Sequence, residues 1–375
     1  MKKNNLIQTS KRIIIKIGSA LLIDKEKGTL RKKWLETLAI DIFNLIRLNK
    51  EVIVVSSGSI ALGKKQLSLK NNLTLDEKQA AAATGQISLA HAWKEVMLEH
   101  GLNVAQILLA PDDTETRRKH LNARATLIKL LELGVLPVIN ENDTVSTEEI
   151  KFGDNDRLAA RVAQMCSADL LILLSDINGL YSSDPNKNKN ATLIEKVTEI
   201  STEIESMAGP ANSKISSGGM VTKIEAAKIS MNAGCHMIIC DGRLDNPLLK
   251  LEENEKTFSW FKAKDHPLNL RKQWISGALH AKGKIIIDNG ATQAIKKGFS
   301  ILPAGIVKTE GHYEKGDLIK IIDQNETFVG TGLTHFNNSE VELIKGLKSE
   351  NIEKILGYRG KDEVVHRDDL VLEKK

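Results

Sequence analysis

Short apolar segments rich in β-branched residues alternate with longer helical segments over the first 241 residues. The strand candidates are Arg12–Ile17, Glu51–Ser56, Asn103–Leu108, Val135–Ile139, Leu170–Ser175 and His236–Cys240. Helical periodicity fits Arg31–Leu48, Asp76–His100, His120–Leu133, Asp154–Met165 and Met220–Asn232. Because parallel strands need crossover connections, this order predicts an α/β fold in which helices cover a mostly parallel sheet.

A change of pattern divides the chain. Residues 252–274 break the alternation and are interpreted as a linker. The short strands Lys284–Asp288, Gly305–Thr309, Asp317–Ile322 and Thr327–Leu333 follow, and then a helical stretch, Ser339–Leu356. A chain of 375 residues also exceeds what one core usually holds. We therefore expect an α/β domain over residues 1–265, a linker over 266–281, and a small β-rich domain with a tail over 282–375.

Composition excludes several classes of protein. With 41% hydrophobic and 27% charged residues, the chain is an ordinary globular protein, and no apolar segment is long enough to span a bilayer. The basic N-terminus lacks a signal-peptide pattern because Lys16 interrupts its apolar segment. Three cysteines without a Cys-x-x-Cys pair favour a reducing compartment, and the cytoplasm is the expected location. The histidine spacing predicts no histidine-ligated metal site.

Acidic residues are concentrated after the fourth predicted strand. Residues Asn140–Asp156 read NENDTVSTEEIKFGDND, with six carboxylates and three asparagines. Loops at the carboxyl ends of parallel strands bind ligands, and this density of negative charge requires a cation: a metal, a lysine or a substrate ammonium. We expect a hairpin, Val145–Phe152, that brings Asp143 close to Asp154, Asn155 and Asp156. Either Asp154 or Asn155 is also expected to cap the following helix.

Two strand ends carry residues suited to anions. Lys16 lies in an apolar strand that ends at Gly18, and it either binds a phosphate or faces solvent at a sheet edge. Ser57 and Gly58 follow the second strand, where Ser57 either binds a substrate carboxylate or caps a helix. The segment from Gly58 nearly matches a P-loop, but Lys65 replaces the required Ser or Thr, so we predict no P-loop.

Two later segments are suited to a nucleotide. Ser175 and Asp176 end a buried strand and precede a turn that contains glycine and tyrosine. A second segment opens a helix with two glycines, which favours phosphate binding, although a flexible hinge is the alternative. Its residues are Ser217, Gly218, Gly219, Met220, Val221, Thr222 and Lys223.

Together, these segments resemble the ordered motifs of the amino acid kinase family. The motifs are Lys16-Ile-Gly-Ser, Val55-Ser-Ser-Gly-Ser-Ile-Ala, Asn140-Glu-Asn-Asp, Phe152-Gly-Asp-Asn-Asp, Leu174-Ser-Asp-Ile-Asn-Gly-Leu-Tyr and Gly218-Gly-Met-Val-Thr-Lys. Residues from about Lys282 onward are similar to a PUA domain. The resemblance implies a three-layer αβα fold with a C-terminal PUA-like domain. It also implies ATP-dependent phosphorylation of the γ-carboxylate of L-glutamate, which gives L-glutamyl 5-phosphate in the first step of proline synthesis.

The resemblance assigns a role to each motif. It implies that Lys16 and Lys223 contact the ATP phosphates, with Asp156 between them, and that Mg²⁺ arrives with ATP. It implies a nucleotide site lined by Ser175, Asp176 and residues 217–223. It implies a glutamate site formed by Ser57, Gly58, Asp143 and Asn155, with Asp143 at the substrate ammonium and Asp154 as a further contact.

The same resemblance implies partners and leaves alternatives. It implies a dimer or tetramer, inhibition by proline, and hand-over of the labile product to glutamyl phosphate reductase. The alternatives are a sister kinase acting on aspartate, acetylglutamate, carbamate or UMP, and an RNA-binding protein that uses the PUA-like domain. Residues 281–375 contain fifteen basic and fifteen acidic residues, so the net charge of +5 lies in residues 1–280. A neutral C-terminal domain is a poor nucleic-acid surface, and neither nucleic acid nor a membrane is an expected partner.

Overall fold

The computed structural model describes residues 6–24, 26–70, 72–145, 155–209, 219–253, 258–267 and 281–373. The chain forms two compact units, Met1–Pro267 and Leu268–Lys375. Most of the predicted linker, residues 266–281, lies outside the described residues, and so does most of the predicted hairpin Val145–Phe152. The predicted domain boundaries and the hairpin therefore stay predictions.

A mostly parallel sheet forms the centre of the first unit. Its strands within the described residues are β1 (Arg12–Ile17), β2 (Glu51–Ser56), β3 (Val104–Leu109), β4 (Leu136–Glu141), β5 (Leu170–Ser175), β6 (Lys196–Val197), β7 (His236–Asp241) and β8 (Phe258–Phe261). They lie in the order β3-β4-β2-β1-β5-β7-β8-β6. The pairings from β3 through β7 are all parallel, and β8 is antiparallel to β7. The predicted parallel α/β sheet is confirmed.

Helices cover both faces of this sheet. The described helices are α1 (Leu6–Thr9), α2 (Ser19–Leu22), α3 (Lys32–Arg47), α4 (Ser59–Gln66), α5 (Leu75–Leu98), α6 (Pro111–Glu115), α7 (Arg117–Glu132), α8 (Asn155–Cys166), α9 (Thr202–Met207), α10 (Met220–Asn232) and α11 (Pro247–Glu253). Ile13 and Ile15 of β1 pack in one apolar cluster with Trp34 of α3 and Trp93 of α5. Ile14 packs on the other face with residues of α8 and α10. A parallel sheet buried on both faces reads as continuous apolar segments, which is why its strands could be recognised in the sequence.

Helices α4 and α5 touch through their backbones. A Cβ atom on Gly63 of α4 would lie 1.7 Å from the carbonyl oxygen of Ala81. One on Gly85 of α5 would lie 1.9 Å from the carbonyl oxygen of Ser59. Only glycine fits at either position. Gly63, the second glycine of the segment that resembles a P-loop, is therefore required for helix packing.

The second unit contains its own smaller sheet. The described strands are β9 (Gly283–Ile287), β10 (Ile306–Gly311), β11 (Leu318–Asp323), β12 (Phe328–Thr334) and β13 (Val365–Leu372), in the order β10-β9-β11-β12-β13. Strands β9 and β11 are parallel, whereas the other pairs are antiparallel. The described helices are α12 (Asn289–Lys296), α13 (Asn338–Ile344) and α14 (Ile352–Leu356). The predicted β-rich second domain is confirmed.

Two predictions of elements are wrong, and one strand was not predicted. The proposed linker over residues 252–274 contains β8, since its Phe-Ser-Trp-Phe segment is buried and pairs with β7. The single helix predicted over Ser339–Leu356 is two helices, because the chain turns at Gly346, whose φ is +75°. Strand β13 was not predicted, because its polar His-Arg-Asp-Asp segment hides the alternation.

Candidate active site

Functional side chains meet at the carboxyl ends of the central strands. Strands β4, β2, β1 and β5 are parallel neighbours, so Asn140, Ser57, Lys16 and Ser175 lie at or just beyond the same edge of the sheet. From β1 the chain continues to β2 on one side, whereas β5 pairs with β1 on the other. Such a reversal of strand order opens a crevice that binds ligands in α/β sheets.

One carboxylate joins two lysines at this edge. Lys16 projects from β1, and its Nζ lies 2.5 Å from Oδ1 of Asp156 at the start of α8. Nζ of Lys223, in the first turn of α10, lies 2.8 Å from Oδ2 of the same carboxylate. All three residues are buried. The prediction that Asp156 lies between the two lysines agrees with these distances.

Charge keeps this carboxylate ionised. Burial raises the pKa of Asp156, but the ammonium groups of Lys16 and Lys223 outweigh burial and hold that pKa well below its ordinary value. An ionised Asp156 and two lysines leave one net positive charge in a buried site. A site of this kind favours an anion such as a phosphoryl group.

The start of α10 carries further donors. The hydroxyl of Thr222 donates to the carbonyl oxygen of Gly219 at 2.9 Å and lies 3.3 Å from Oδ2 of Asp156. Gly219, Met220 and Val221 form the beginning of this helix, which points its N-terminal dipole toward the same region as Lys223. Ser217 and Gly218, which were also predicted to bind the nucleotide, lie outside the described residues.

A polar network lies beside the lysines. The amide Nδ2 of Asn155 donates to Oγ of Ser57 at 2.8 Å and to Oδ1 of Asn140 at 2.8 Å. Nδ2 of Asn140 donates in turn to Oε1 of Gln86 at 2.8 Å and to Oγ of Ser59 at 3.1 Å. The structure thus brings together the predicted residues Asn155 and Ser57. Asn140, Gln86 and Ser59 were not predicted as site residues; the asparagine-rich loop is the sequence signal that could have identified Asn140.

Gly58 gives the loop after β2 its shape. Its φ is +114°, in the region that side chains disfavour, and it immediately precedes helix α4. The backbone N–H of Ser57 donates to the carbonyl oxygen of Ile17 at 3.1 Å. This turn holds the hydroxyl of Ser57 against Asn155.

The other predicted residues that the structure describes lie at the ends of β4 and β5. Asp143 is half-buried in the turn after β4, and Asp154 lies outside the described residues. Ser175 is buried at the end of β5, with its hydroxyl 3.4 Å from Oδ1 of the exposed Asp176. The carbonyl oxygen of Ser175 accepts a hydrogen bond from the backbone of Gly242 at 2.8 Å, which fixes the strand end beside β7.

Neither a metal cluster nor a membrane-spanning helix is found in the described part of the chain. No group of three or more His, Cys, Asp or Glu residues there is arranged to hold a metal ion. No described helix combines the length and the apolar character needed to cross a membrane.

Comparisons with known proteins agree on one family. The model of the amino acid kinase family matches residues 11–241, and the PUA domain model matches residues 283–356. Glutamate 5-kinase of Paramagnetospirillum magneticum is 52% identical over 367 residues, covering 98% of this chain and 99% of the relative. Glutamate 5-kinase of Bradyrhizobium diazoefficiens is 50% identical over 363 residues, covering 96% of this chain and 97% of the relative. A solved carbamate kinase from Giardia lamblia, bound to AMP-PNP, is 17% identical with a TM-score of 0.49 over 68% of this chain and 99% of its own, a likeness too low to support an argument.

Proposed function

The chain belongs to the amino acid kinase family, and we propose that it is a glutamate 5-kinase, which transfers the γ-phosphoryl group of ATP to the γ-carboxylate of L-glutamate. The predicted family and the predicted PUA domain are confirmed by the matching models and by the near-full-length relatives. The observation that carries phosphoryl transfer is the buried contact of Lys16 and Lys223 with Asp156. The choice of glutamate is supported by the relatives that carry this name.

The reaction needs no general base. A γ-carboxylate oxygen of glutamate attacks the γ-phosphorus of ATP, and the bond between that phosphorus and the β–γ bridging oxygen breaks. ADP leaves with the bonding electrons, and L-glutamyl 5-phosphate forms without any proton transfer. Because the carboxylate is already ionised at neutral pH, catalysis consists of in-line positioning and of stabilising charge on the transferred group.

Lys16 and Lys223 supply that stabilisation. Their ammonium groups approach Asp156 from different elements, which fixes both on one side of the site before any ligand binds. Preorganised positive charge of this kind is worth about 3 kcal/mol per contact, or roughly a hundredfold in rate. Asp156 acts by positioning the lysines.

The donors of α10 fit a polyphosphate. Lys223 and the helix N-terminus present ammonium and backbone N–H groups, which is the chemistry that binds phosphate oxygens, and the Thr222 hydroxyl holds the turn at Gly219. We assign Ser175, Asp176 and residues 217–223 to ATP. Bound Mg²⁺ would neutralise phosphate charge, and it would be held chiefly by the nucleotide, with Asp154 as a candidate protein contact.

The polar network fits the amino acid. We assign Ser57, Gly58 and Asn155 to glutamate, with the Ser57 hydroxyl as the donor to a substrate carboxylate, because Asn155 binds Ser57 and directly precedes Asp156 in the chain. Asp143 supplies a carboxylate for the substrate ammonium. A sister kinase that acts on aspartate, acetylglutamate, carbamate or UMP would share the lysines and differ in this network.

The remaining partners follow from the same assignment. We propose a homodimer or homotetramer in the cytoplasm, inhibited by proline as the end product of the pathway. Acyl phosphates hydrolyse readily, so a reductase that consumes L-glutamyl 5-phosphate is the expected next enzyme. RNA binding by the second unit is the alternative that charge disfavours.

A panel of acceptors tests the proposal. ADP formation from ATP is followed with glutamate, aspartate, N-acetylglutamate, carbamate and UMP, each with and without proline. We expect turnover with glutamate alone and its reduction by proline. Turnover with another acceptor but not with glutamate would replace the proposed substrate, and salt-sensitive RNA binding without turnover would replace the proposed activity.

A further inference from the structure

A chain of hydrogen bonds connects helix α5 to the predicted glutamate site. Nδ2 of Asn140 donates to Oε1 of Gln86, and Oδ1 of Asn140 accepts from Nδ2 of Asn155 and from the backbone N–H of Glu141. Gln86, Asn140 and Asn155 are all buried. In such a chain, the acceptor at one end determines which atom each amide can offer to the next.

We infer that Gln86 is a positioning residue that, together with the backbone N–H of Glu141, holds the hydrogen-bonding polarity of the amino-acid site. Its Oε1 requires the amino group of Asn140, and this leaves Oδ1 of Asn140 facing Asn155. If the Asn140 amide were reversed, its amino group would face two donors, Nδ2 of Asn155 and the N–H of Glu141. The backbone N–H cannot reverse, so it and Gln86 impose the same orientation from two sides.

This orientation determines what Asn155 and Ser57 can bind. Both amide hydrogens of Asn155 are directed to Asn140 and to the Ser56–Ser57 turn, so Asn155 can offer a ligand only its carbonyl oxygen. Ser57 accepts from Asn155 and keeps its own hydrogen to donate. The site thus presents an acceptor for an ammonium group beside a donor for a carboxylate, as an α-amino acid requires. The inference rests on the proposed function.

Helix packing places Gln86 in this network. Gly85 and Gly63 let α5 and α4 approach until backbone atoms touch, and Gln86 is the next residue of α5. Ser59, whose Oγ accepts the second hydrogen of the Asn140 amide, begins α4. The same crossing therefore supplies both acceptors for Asn140.

Two substitutions of similar size separate positioning from packing. Gln86→Met removes the acceptor, whereas Gln86→Glu keeps an oxygen acceptor in either protonation state. We expect Gln86→Met to raise the KM for glutamate about tenfold, equivalent to about 1.4 kcal/mol, with the KM for ATP unchanged. Gln86→Glu is expected to stay within about threefold of wild type, since it still accepts from Asn140. The control is Ser88→Ala, on the same helix as Gln86: it removes the Oγ that accepts from Nε2 of Gln66 on α4, and it should change neither constant.

The outcomes distinguish this inference from the proposed function. An unchanged glutamate KM in Gln86→Met, or an equal rise in both KM values, would overturn the positioning role of Gln86. The proposed function would still stand if the wild-type protein turned over glutamate. Should Gln86→Met fail to fold, Ser59→Ala removes the other acceptor, and it is expected to raise the glutamate KM by about threefold. No effect of Ser59→Ala would then overturn the inference. Wild-type protein without glutamate turnover would instead overturn the proposed function.

Discussion

Nζ of Lys223 lies 2.8 Å from Oδ2 of Asp156, although 67 residues separate them in the chain. The contact joins the first turns of two helices, and Lys16 occupies the other oxygen of the same carboxylate. Because all three groups are buried and carry one net positive charge, removing Asp156 leaves two buried ammonium groups without their carboxylate, whereas removing one lysine leaves a neutral pair.

Lys223→Ala is expected to fold and to lose roughly a hundredfold in kcat, since one charge contact to the transferred phosphoryl group is lost. Asp156 keeps Lys16 as its partner in this variant. Lys228→Ala is the matched control, because Lys228 lies on the same helix and its Nζ is 2.6 Å from Oε1 of Glu205, which is not a site residue. Steady-state kinetics with saturating ATP and glutamate provide the measurement. Wild-type kcat in Lys223→Ala would remove Lys223 from the catalytic site.

Asp156→Asn is expected to destabilise the protein by about 3–5 kcal/mol at pH 7, because two buried ammonium groups lose their carboxylate. The folded pKa of Asp156 lies below its ordinary value of 3.8, so its stabilisation is present above that pH and is lost as the pH falls further. Urea unfolding followed by fluorescence reports the first unit, where Trp34 and Trp93 are buried.

The difference in the free energy of unfolding between wild type and Asp156→Asn should stay constant from pH 7 to about pH 5 and shrink below about pH 4. Asp245→Asn, at an exposed position, serves as the control and should show no such difference. A difference that grows as the pH falls would have the wrong sign for a depressed pKa.

Asp143→Ala is expected to raise the KM for glutamate by roughly thirtyfold, about 2 kcal/mol for one charge-assisted hydrogen bond, and to leave the KM for ATP nearly unchanged. Thr144→Ala alters the neighbouring exposed residue and should leave both constants unchanged. The two KM values are obtained by varying one substrate at a time. A larger rise in the KM for ATP than in the KM for glutamate would mean that Asp143 belongs to the ATP site.

Gly85→Ala is expected to lower the Tm by roughly 4–8 °C, because its Cβ would lie 1.9 Å from the backbone oxygen of Ser59 and overpack the crossing of α4 and α5. Gly290→Ala is the control: it also lies in a helix, and its Cβ would approach only Oδ1 of Asp288, at 3.3 Å. Thermal unfolding of both variants measures the effect. Equal Tm values for Gly85→Ala and wild type would mean that the two helices are not in backbone contact.

The fold could be predicted because burial on both faces leaves a clear pattern. Strands β1 and β5 are almost entirely apolar, and each is followed by residues suited to a turn. Strand β8 has four residues between charged segments, and its pairing with β7 depends on a tertiary contact that no local pattern encodes. The split of the predicted helix Ser339–Leu356 depends on the positive φ of Gly346, which sequence periodicity does not register.

The site could be predicted only in part. The motifs predict Lys16, Asp156 and Lys223 as site residues, and the roles given to these residues stay predictions. Gln86 could not be found in this way, because it lies in an alanine-rich helix 54 residues from Asn140. The helix crossing brings the two together, and the pair of glycines at that crossing is the sequence signal that could have indicated it.

In the proposed reaction a glutamate carboxylate receives the phosphoryl group, and hydroxylamine trapping of the product tests this step. An acyl phosphate reacts with hydroxylamine to give a hydroxamate, which mass spectrometry identifies. With ATP, Mg²⁺ and glutamate, we expect γ-glutamyl hydroxamate in amounts equal to the ADP formed, and almost none with Lys223→Ala. ADP formation without this hydroxamate, or a hydroxamate of aspartate or acetylglutamate in its place, would rule out phosphoryl transfer to glutamate.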